Sequence, residues 1–246
     1  MLNALKQSVY EANMALASHH LASLTWGNVS GIDRKKGVVV IKPSGVSYEN
    51  LSVDDLVVVN MEGEIVEGRH RPSSDMPTHL LLYKEFQKIG SITHAHGVHA
   101  VSWAQAQKDI PCFGTTHADY FASDLPCTRP LSREETENDY EENIGHAIVD
   151  TFNARKLSYI QTPGILCANR GPFTWGETTE ESVLHAMILE EVAKMALNTI
   201  KINPHAMPAP LYMQRKHFMH KHGENASYGQ EKSTNIENET DTQDNF

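Results

Sequence analysis

Apolar residues at Leu2, Leu5, Val9, Ala12 and Leu16 recur every three or four positions, so the chain opens on an amphipathic helix. Short β-branched blocks follow. Residues 38–42 read as a strand stopped by Pro43, residues 56–59 as another, and residues 25–30 as a strand or turn. Ser74 suits a helix N-cap, with Asp75 and Pro77 in the first turn of a helix running to about Lys88. Residues 92–96 predict a strand, with a helix following through Trp103. Ser132 and Glu135 frame a capping box that opens a helix to about Phe152. Residues 165–168 form a short strand, and a second box at Thr178 and Glu181 opens a helix to about Ile202. A last helix covers residues 209–221, with Gly223 just past its end. Helices and strands interleave without a repeat or a linker, which predicts an α/β or α+β chain folded as one three-layer domain over residues 1–230.

Composition narrows the partners. The chain has 246 residues, with 40% hydrophobic and 21% charged, the usual balance of a soluble domain. A net charge of −10 argues against nucleic acid. No apolar run approaches the length of a membrane span, so no membrane partner is expected. The first residues lack a signal-peptide pattern, and Cys112, Cys127 and Cys167 are odd in number and widely spaced. Free thiols and a cytoplasmic location are therefore expected. Residues 231–246 are acidic and nearly free of apolar side chains, which predicts a disordered tail.

Four segments bear candidate chemistry. His94-Ala95-His96 places two imidazoles one residue apart, and on a strand both face the same side. With the Asp75 carboxylate they make a two-histidine, one-carboxylate set able to grip a divalent metal. Alone, the pattern is more often two histidines that alternate with small residues. Lys42-Pro43-Ser44-Gly45 offers an ammonium, a hydroxyl and a glycine amide to a phosphate, or is an ordinary strand-ending turn. Ser73-Ser74 offers hydroxyls and free N–H groups to an anion, or caps a helix. The loop Gly114-Thr115-Thr116-His117-Ala118-Asp119 is a weak signal by itself. No GxGxxG, Walker A or HExxH pattern is present, so nucleotide and zincin readings have no support.

Together these segments resemble one family. Residues 24–30 (Leu-Thr-Trp-Gly-Asn-Val-Ser), 41–46 (Ile-Lys-Pro-Ser-Gly-Val), 72–75 (Pro-Ser-Ser-Asp), 93–96, 114–121, Gly171-Pro172-Phe173, Trp175-Gly176 and Tyr228-Gly229-Gln230 stand in the order found in the L-ribulose-5-phosphate 4-epimerases of the class II aldolase/adducin superfamily. The resemblance covers about residues 2–230. It implies an α/β/α sandwich around a largely antiparallel sheet, and a homotetramer with active sites at subunit interfaces. It implies a sugar-phosphate substrate, interconverted between L-ribulose 5-phosphate and D-xylulose 5-phosphate by retro-aldol cleavage of C3–C4 and rejoining. The expected fragments are the enediolate of dihydroxyacetone phosphate and glycolaldehyde. It implies a zinc or other divalent ion, one per subunit, held by Asp75, His94 and His96. Gly27, Asn28, Lys42, Ser44, Gly45, Ser73, Ser74 and Thr115 then stand at substrate positions, and Asp119 and Tyr228 at the acid/base positions. His217 matches a family residue expected to reach a neighbouring subunit's site.

One departure dominates. The family carries a third histidine ligand immediately before Gly-Pro-Phe, and here that residue is Arg170. A guanidinium has no lone pair to give and stays charged. Three arrangements follow: three ligands hold the metal more weakly, Arg170 swings away and solvent replaces it, or Arg170 pairs with Asp75 or with an anion and the metal site is empty. His220 likewise stands where the family has arginine. Two rival readings accompany the epimerase: an aldolase that releases its aldehyde, and a non-catalytic sugar-phosphate-binding relative.

Overall fold

The computed structural model describes residues 2–223. Tyr228, the expected domain end near residue 230 and the acidic tail lie outside them. Among the described residues seven strands form one antiparallel sheet: β1 (Asn28–Asp33), β2 (Val38–Ile41), β3 (Val57–Asn60), β4 (Ile65–Glu67), β5 (Ser91–His94), β6 (Gly164–Cys167) and β7 (Gly171–Gly176). Their order is β4-β3-β2-β1-β5-β7-β6. The described residues also form eight α-helices: α1 (Leu2–Ser18), α2 (Met76–Glu85), α3 (Val98–Gln105), α4 (Thr115–Ala118), α5 (Arg133–Glu137), α6 (Tyr140–Arg155), α7 (Thr179–Ile202) and α8 (Leu211–His222).

The period of two in the strands explains the layers. Val39, Ile41, Val57, Val59, Ile92, Phe173 and Trp175 pack with Tyr83 and Phe86 and with Ile148 and Phe152, so α2 and α6 cover that face. The alternate residues Val40 and Val58 pack with Val9 of α1. Val29 packs with Leu16 and with Val183 and Ala186 of α7. Each such buried aliphatic or aromatic side chain contributes about 1.5–3 kcal/mol. The sheet is thus covered on both faces, as the α/β sandwich reading requires.

The boundaries depart from expectation in instructive ways. Helix α2 takes Asp75, not Ser74, as its N-cap, and ends at Glu85. The segment after Ser132 is two helices, because Asp139 adopts a left-handed backbone (φ 48°) between α5 and α6. At Thr178 only half of the box forms: its hydroxyl accepts from Glu181 N, whereas the Glu181 carboxylate accepts from Glu177 N. β4 and β7 were not foreseen. β7 carries Pro172 and two glycines, residues that argue against a strand, yet it lies fully buried between β5 and β6. Residues 114–119, expected as a loop, contain the single turn α4.

Candidate active site

The site lies where β1, β5 and β7 end together. Asn28 is opposite His94 in the β1–β5 register, and His94 is opposite Phe173 in the β5–β7 register. β5 stops at His94, so His96 is not on the strand as expected; its N–H donates instead to Leu21 O (2.7 Å). The rings nevertheless gather, with centroids 4.7 Å apart. Phe173 stacks on His94 at 4.3 Å and 12°. His94 Nδ1 lies 2.9 Å from Pro172 O; donating there leaves Nε2 as the ring's acceptor. The half-exposed Trp26 flanks His96 at 5.9 Å.

Asp75 joins this group from the start of α2. Its Oδ2 accepts from Asn28 Nδ2 (2.7 Å). Asn28 Nδ2 also reaches Ser73 Oγ (3.1 Å), while Asn28 Oδ1 is buried without a partner. Such an orphaned acceptor suits a substrate hydroxyl. Gly27 runs tightly beneath: with φ +69° and a Cβ that would lie 2.8 Å from His94 O, the position admits no side chain without a shift.

Arg170 occupies the tip of the β6–β7 hairpin. Asn169 (φ 64°) and Gly171 (φ 147°) flank it, and Arg170 N donates to Cys167 O (3.0 Å). Its Nη2 donates to Asp75 Oδ1. The guanidinium lies 5.3 Å from the centre of the Tyr140 ring. Tyr140 has no signal in the sequence that would link it to this site, because α6 approaches only in the fold. Burial raises the Asp75 carboxyl, and the charges of His94, Arg170 and His79 with the Asn28 hydrogen bond outweigh it, leaving it at about 2. Burial pushes the His94 imidazolium down to about 3, so His94 is neutral near pH 7 and Arg170 is the cation beside the carboxylate. His96 is also lowered, chiefly by burial.

The expected metal does not fit these donors. One Asp75 oxygen is taken by Arg170 and the other by Asn28. Among the described residues no three His, Cys, Asp or Glu side chains form a group able to hold a metal ion. A divalent ion about 5 Å from a guanidinium would be repelled by roughly 7 kcal/mol at an effective dielectric of about 20.

The candidate phosphate loop is tied to the same edge. Ser44 N donates to Arg71 O (3.0 Å) and Ser73 N to Lys42 O (3.0 Å), zipping residues 42–44 to residues 71–73. Lys42 is buried, its Nζ on Val46 O (2.5 Å) and 4.9 Å from the Tyr48 ring centre. Burial pushes its ammonium down to about 8. Tyr48 OH in turn donates to Trp26 O (2.8 Å) and Gly27 O (3.0 Å), coupling this loop to β1. Ser44, Gly45 and Ser74 are exposed, and Gly45 has open space about it.

Asp119 is held by other elements, α4 and α8. It follows α4, and its Oδ1 lies 3.1 Å from His217 Nδ1 of α8. His222 Nε2 donates to Asp119 O (2.8 Å), and Asp119 N to Thr115 O (2.8 Å). Thr115 itself is exposed. Among the described residues no hydrogen bond or ion pair joins Asp119 to the His94–Arg170 group. His217 thus holds Asp119 of its own chain.

The Class II Aldolase and Adducin N-terminal domain family matches residues 7–197. The L-ribulose-5-phosphate 4-epimerases UlaF of Salmonella paratyphi B and Salmonella typhi are each 52% identical over 229 residues, 93% of this chain and 100% of theirs. An L-fuculose 1-phosphate aldolase superposes with a TM-score of 0.74 at 22% identity, over 87% of this chain and 94% of its own. YgbL of Escherichia coli, a putative aldolase/epimerase/decarboxylase, superposes with a TM-score of 0.71 at 20% identity, over 88% and 98%.

Proposed function

The chain belongs to the class II aldolase and adducin family, and on that premise we propose how its own residues carry the family's chemistry. It is an enzyme, an epimerase that interconverts L-ribulose 5-phosphate and D-xylulose 5-phosphate by inverting C4. The observation that carries this reading is 52% identity running the full length of epimerase relatives.

The route is a retro-aldol followed by an aldol step. A base takes the C4 hydroxyl proton, and that oxygen becomes the aldehyde carbonyl. The C3–C4 pair becomes the C2=C3 double bond, and the C2 carbonyl pair moves onto its oxygen. The phosphate is on C5, so atom balance gives the enediolate of dihydroxyacetone and glycolaldehyde phosphate, which corrects the fragments expected above. The aldehyde turns over, C3 attacks its other face, and the C4 alkoxide takes back one proton. Inversion needs proton carriers on opposite faces, the roles we assign to Asp119 and Tyr228.

Lys42 with Ser44 and Gly45, and Ser73 with Ser74, suit the phosphate. Asn28 Oδ1 suits a sugar hydroxyl. Asp119 is held by α8 apart from the His94 group, which supports a site completed between subunits, so we infer the homotetramer of the family reading. Divalent metal is the cofactor the family implies. The finer assignment, one zinc per subunit on Asp75, His94 and His96, requires Arg170 to release Asp75. No helix among the described residues is long and apolar enough to cross a membrane. The buried free thiols Cys112, Cys127 and Cys167 support a reducing, cytoplasmic setting.

The test is L-ribulose 5-phosphate, assayed with no added metal and with Zn²⁺, Mn²⁺ or Co²⁺. D-xylulose 5-phosphate should accumulate without free glycolaldehyde phosphate. Build-up of the aldehyde makes the enzyme an aldolase, and no turnover in any condition removes the epimerase reading.

A further inference from the structure

We propose that Arg170 is the resident cation of this active site, standing in for a divalent metal and binding the two oxygens of the enediolate. The proposal rests on the epimerase reading for the identity of that ligand, but not for the cation itself.

Three observations carry it. First, the guanidinium is fixed rather than dangling: it projects from a tight hairpin turn, is 17% exposed, and lies between the Tyr140 ring and the Asp75 carboxylate. Second, its pairing with Asp75 takes an oxygen that a metal would need, while its charge repels any divalent ion nearby. Third, Arg170 Nε is buried and has no partner. Asn28, which holds the other Asp75 oxygen, carries the orphaned acceptor Oδ1, so the two residues paired with Asp75 leave one donor and one acceptor for a ligand with oxygens and a hydroxyl.

The chemistry fits. A guanidinium presents donors in a planar fork and matches a planar pair of oxygens two-to-two. A cis-enediolate is such a pair, on adjacent carbons. As the C3–C4 bond breaks, charge arrives on the C2 oxygen, and a preplaced cation lowers the energy of that state without losing its proton. His94 and His96 then bound the pocket as packed rings, with centroids 4.7 Å apart.

The experiment uses chelator-treated protein and Zn²⁺ alone. By titration calorimetry the intact protein should bind zinc at least about 100-fold more weakly than Arg170→His, which restores a third imidazole; loss of a supporting group alone costs about 10–100-fold. Tight binding of one zinc per chain by the intact protein, equal to the variant, overturns the proposal. A second measurement stands if the histidine variant does not fold. Glycolohydroxamate, a planar mimic of the dihydroxyacetone enediolate, should bind the chelator-treated intact protein, with its affinity unchanged by zinc and lost in Arg170→Gln. Binding that appears only with zinc overturns the proposal as well. The zinc titration contains no sugar, so a failed epimerase assay beside the expected titration removes the functional reading and leaves the cation in place.

Discussion

A Cβ at Gly27 would stand 2.8 Å from the carbonyl oxygen of His94, closer than such contacts are found, and the residue's φ is +69°. The start of β1 is therefore pressed against the end of β5 at the point where Asn28 and His94 meet in register. Gly27 serves the site by having no side chain.

Gly27→Ala must accommodate both the clash and the left-handed backbone, at a cost of about 1–3 kcal/mol. For a chain of this size that is a fall of about 2–4 °C in Tm per kcal/mol. Movement of β1 also displaces Asn28 from Asp75, so kcat/KM should fall by more than the stability loss explains. Thermal unfolding and steady-state kinetics on the same preparation check this; an unchanged Tm would show that the two strands can part freely.

Asp119 and His217 form a second relationship, linking α4 to α8 across 3.1 Å. If Asp119 transfers the C4 proton, Asp119→Asn should lower kcat by about 10²–10⁴ with KM little altered. His217→Phe removes only the partner and should cost less, through a misplaced carboxylate. Equal, small losses in the two variants would assign Asp119 to holding α8 rather than to proton transfer.

Lys42 supplies the pH dependence. Burial places its ammonium at about 8, and the charged form is the one that attracts phosphate. Below that pH the free enzyme carries the charge and kcat/KM is level; above it the charge is lost and kcat/KM falls about tenfold per pH unit. Bound phosphate favours the ammonium, so the limb in kcat should lie at higher pH than the limb in kcat/KM. Lys42→Met should abolish the limb and raise KM about 10–100-fold, matching the loss of one charged hydrogen bond of about 1.5–3 kcal/mol.

Much of this was legible in the chain. The helix of residues 2–18 follows from spacing alone, because burial of one face leaves a period, and the strand 38–41 follows from its run of β-branched residues. Asp75, His94 and His96 were named together from the sequence and lie at one edge of the sheet, although His96 arrives by leaving the strand, with its N–H on Leu21 O, and among the described residues they form no group able to hold a metal. What could not be read is whatever depends on tertiary contact. β7 looks like turn material, and only burial between two strands makes Gly-Pro-Phe-Thr-Trp-Gly extended. Arg170 was visible as a departure, but which of its three arrangements holds depends on Tyr140 and Asp75, 30 and 95 residues away, the latter joined to it by the hydrogen bond.

Tyr140 tests how firmly that cation must be held. Its ring lies 5.3 Å from the guanidinium carbon, and a contact of this type contributes about 0.5–2 kcal/mol, more where water is excluded. Tyr140→Phe keeps the ring and loses the hydroxyl, whereas Tyr140→Ala loses both. If the ring positions the cation, the phenylalanine variant retains most of kcat and the alanine variant loses about tenfold, with zinc affinity rising in the alanine variant as Arg170 gains freedom to leave Asp75. Zinc affinity is the discriminating readout, since a merely structural role for Tyr140 would lower stability and leave the affinity where it was.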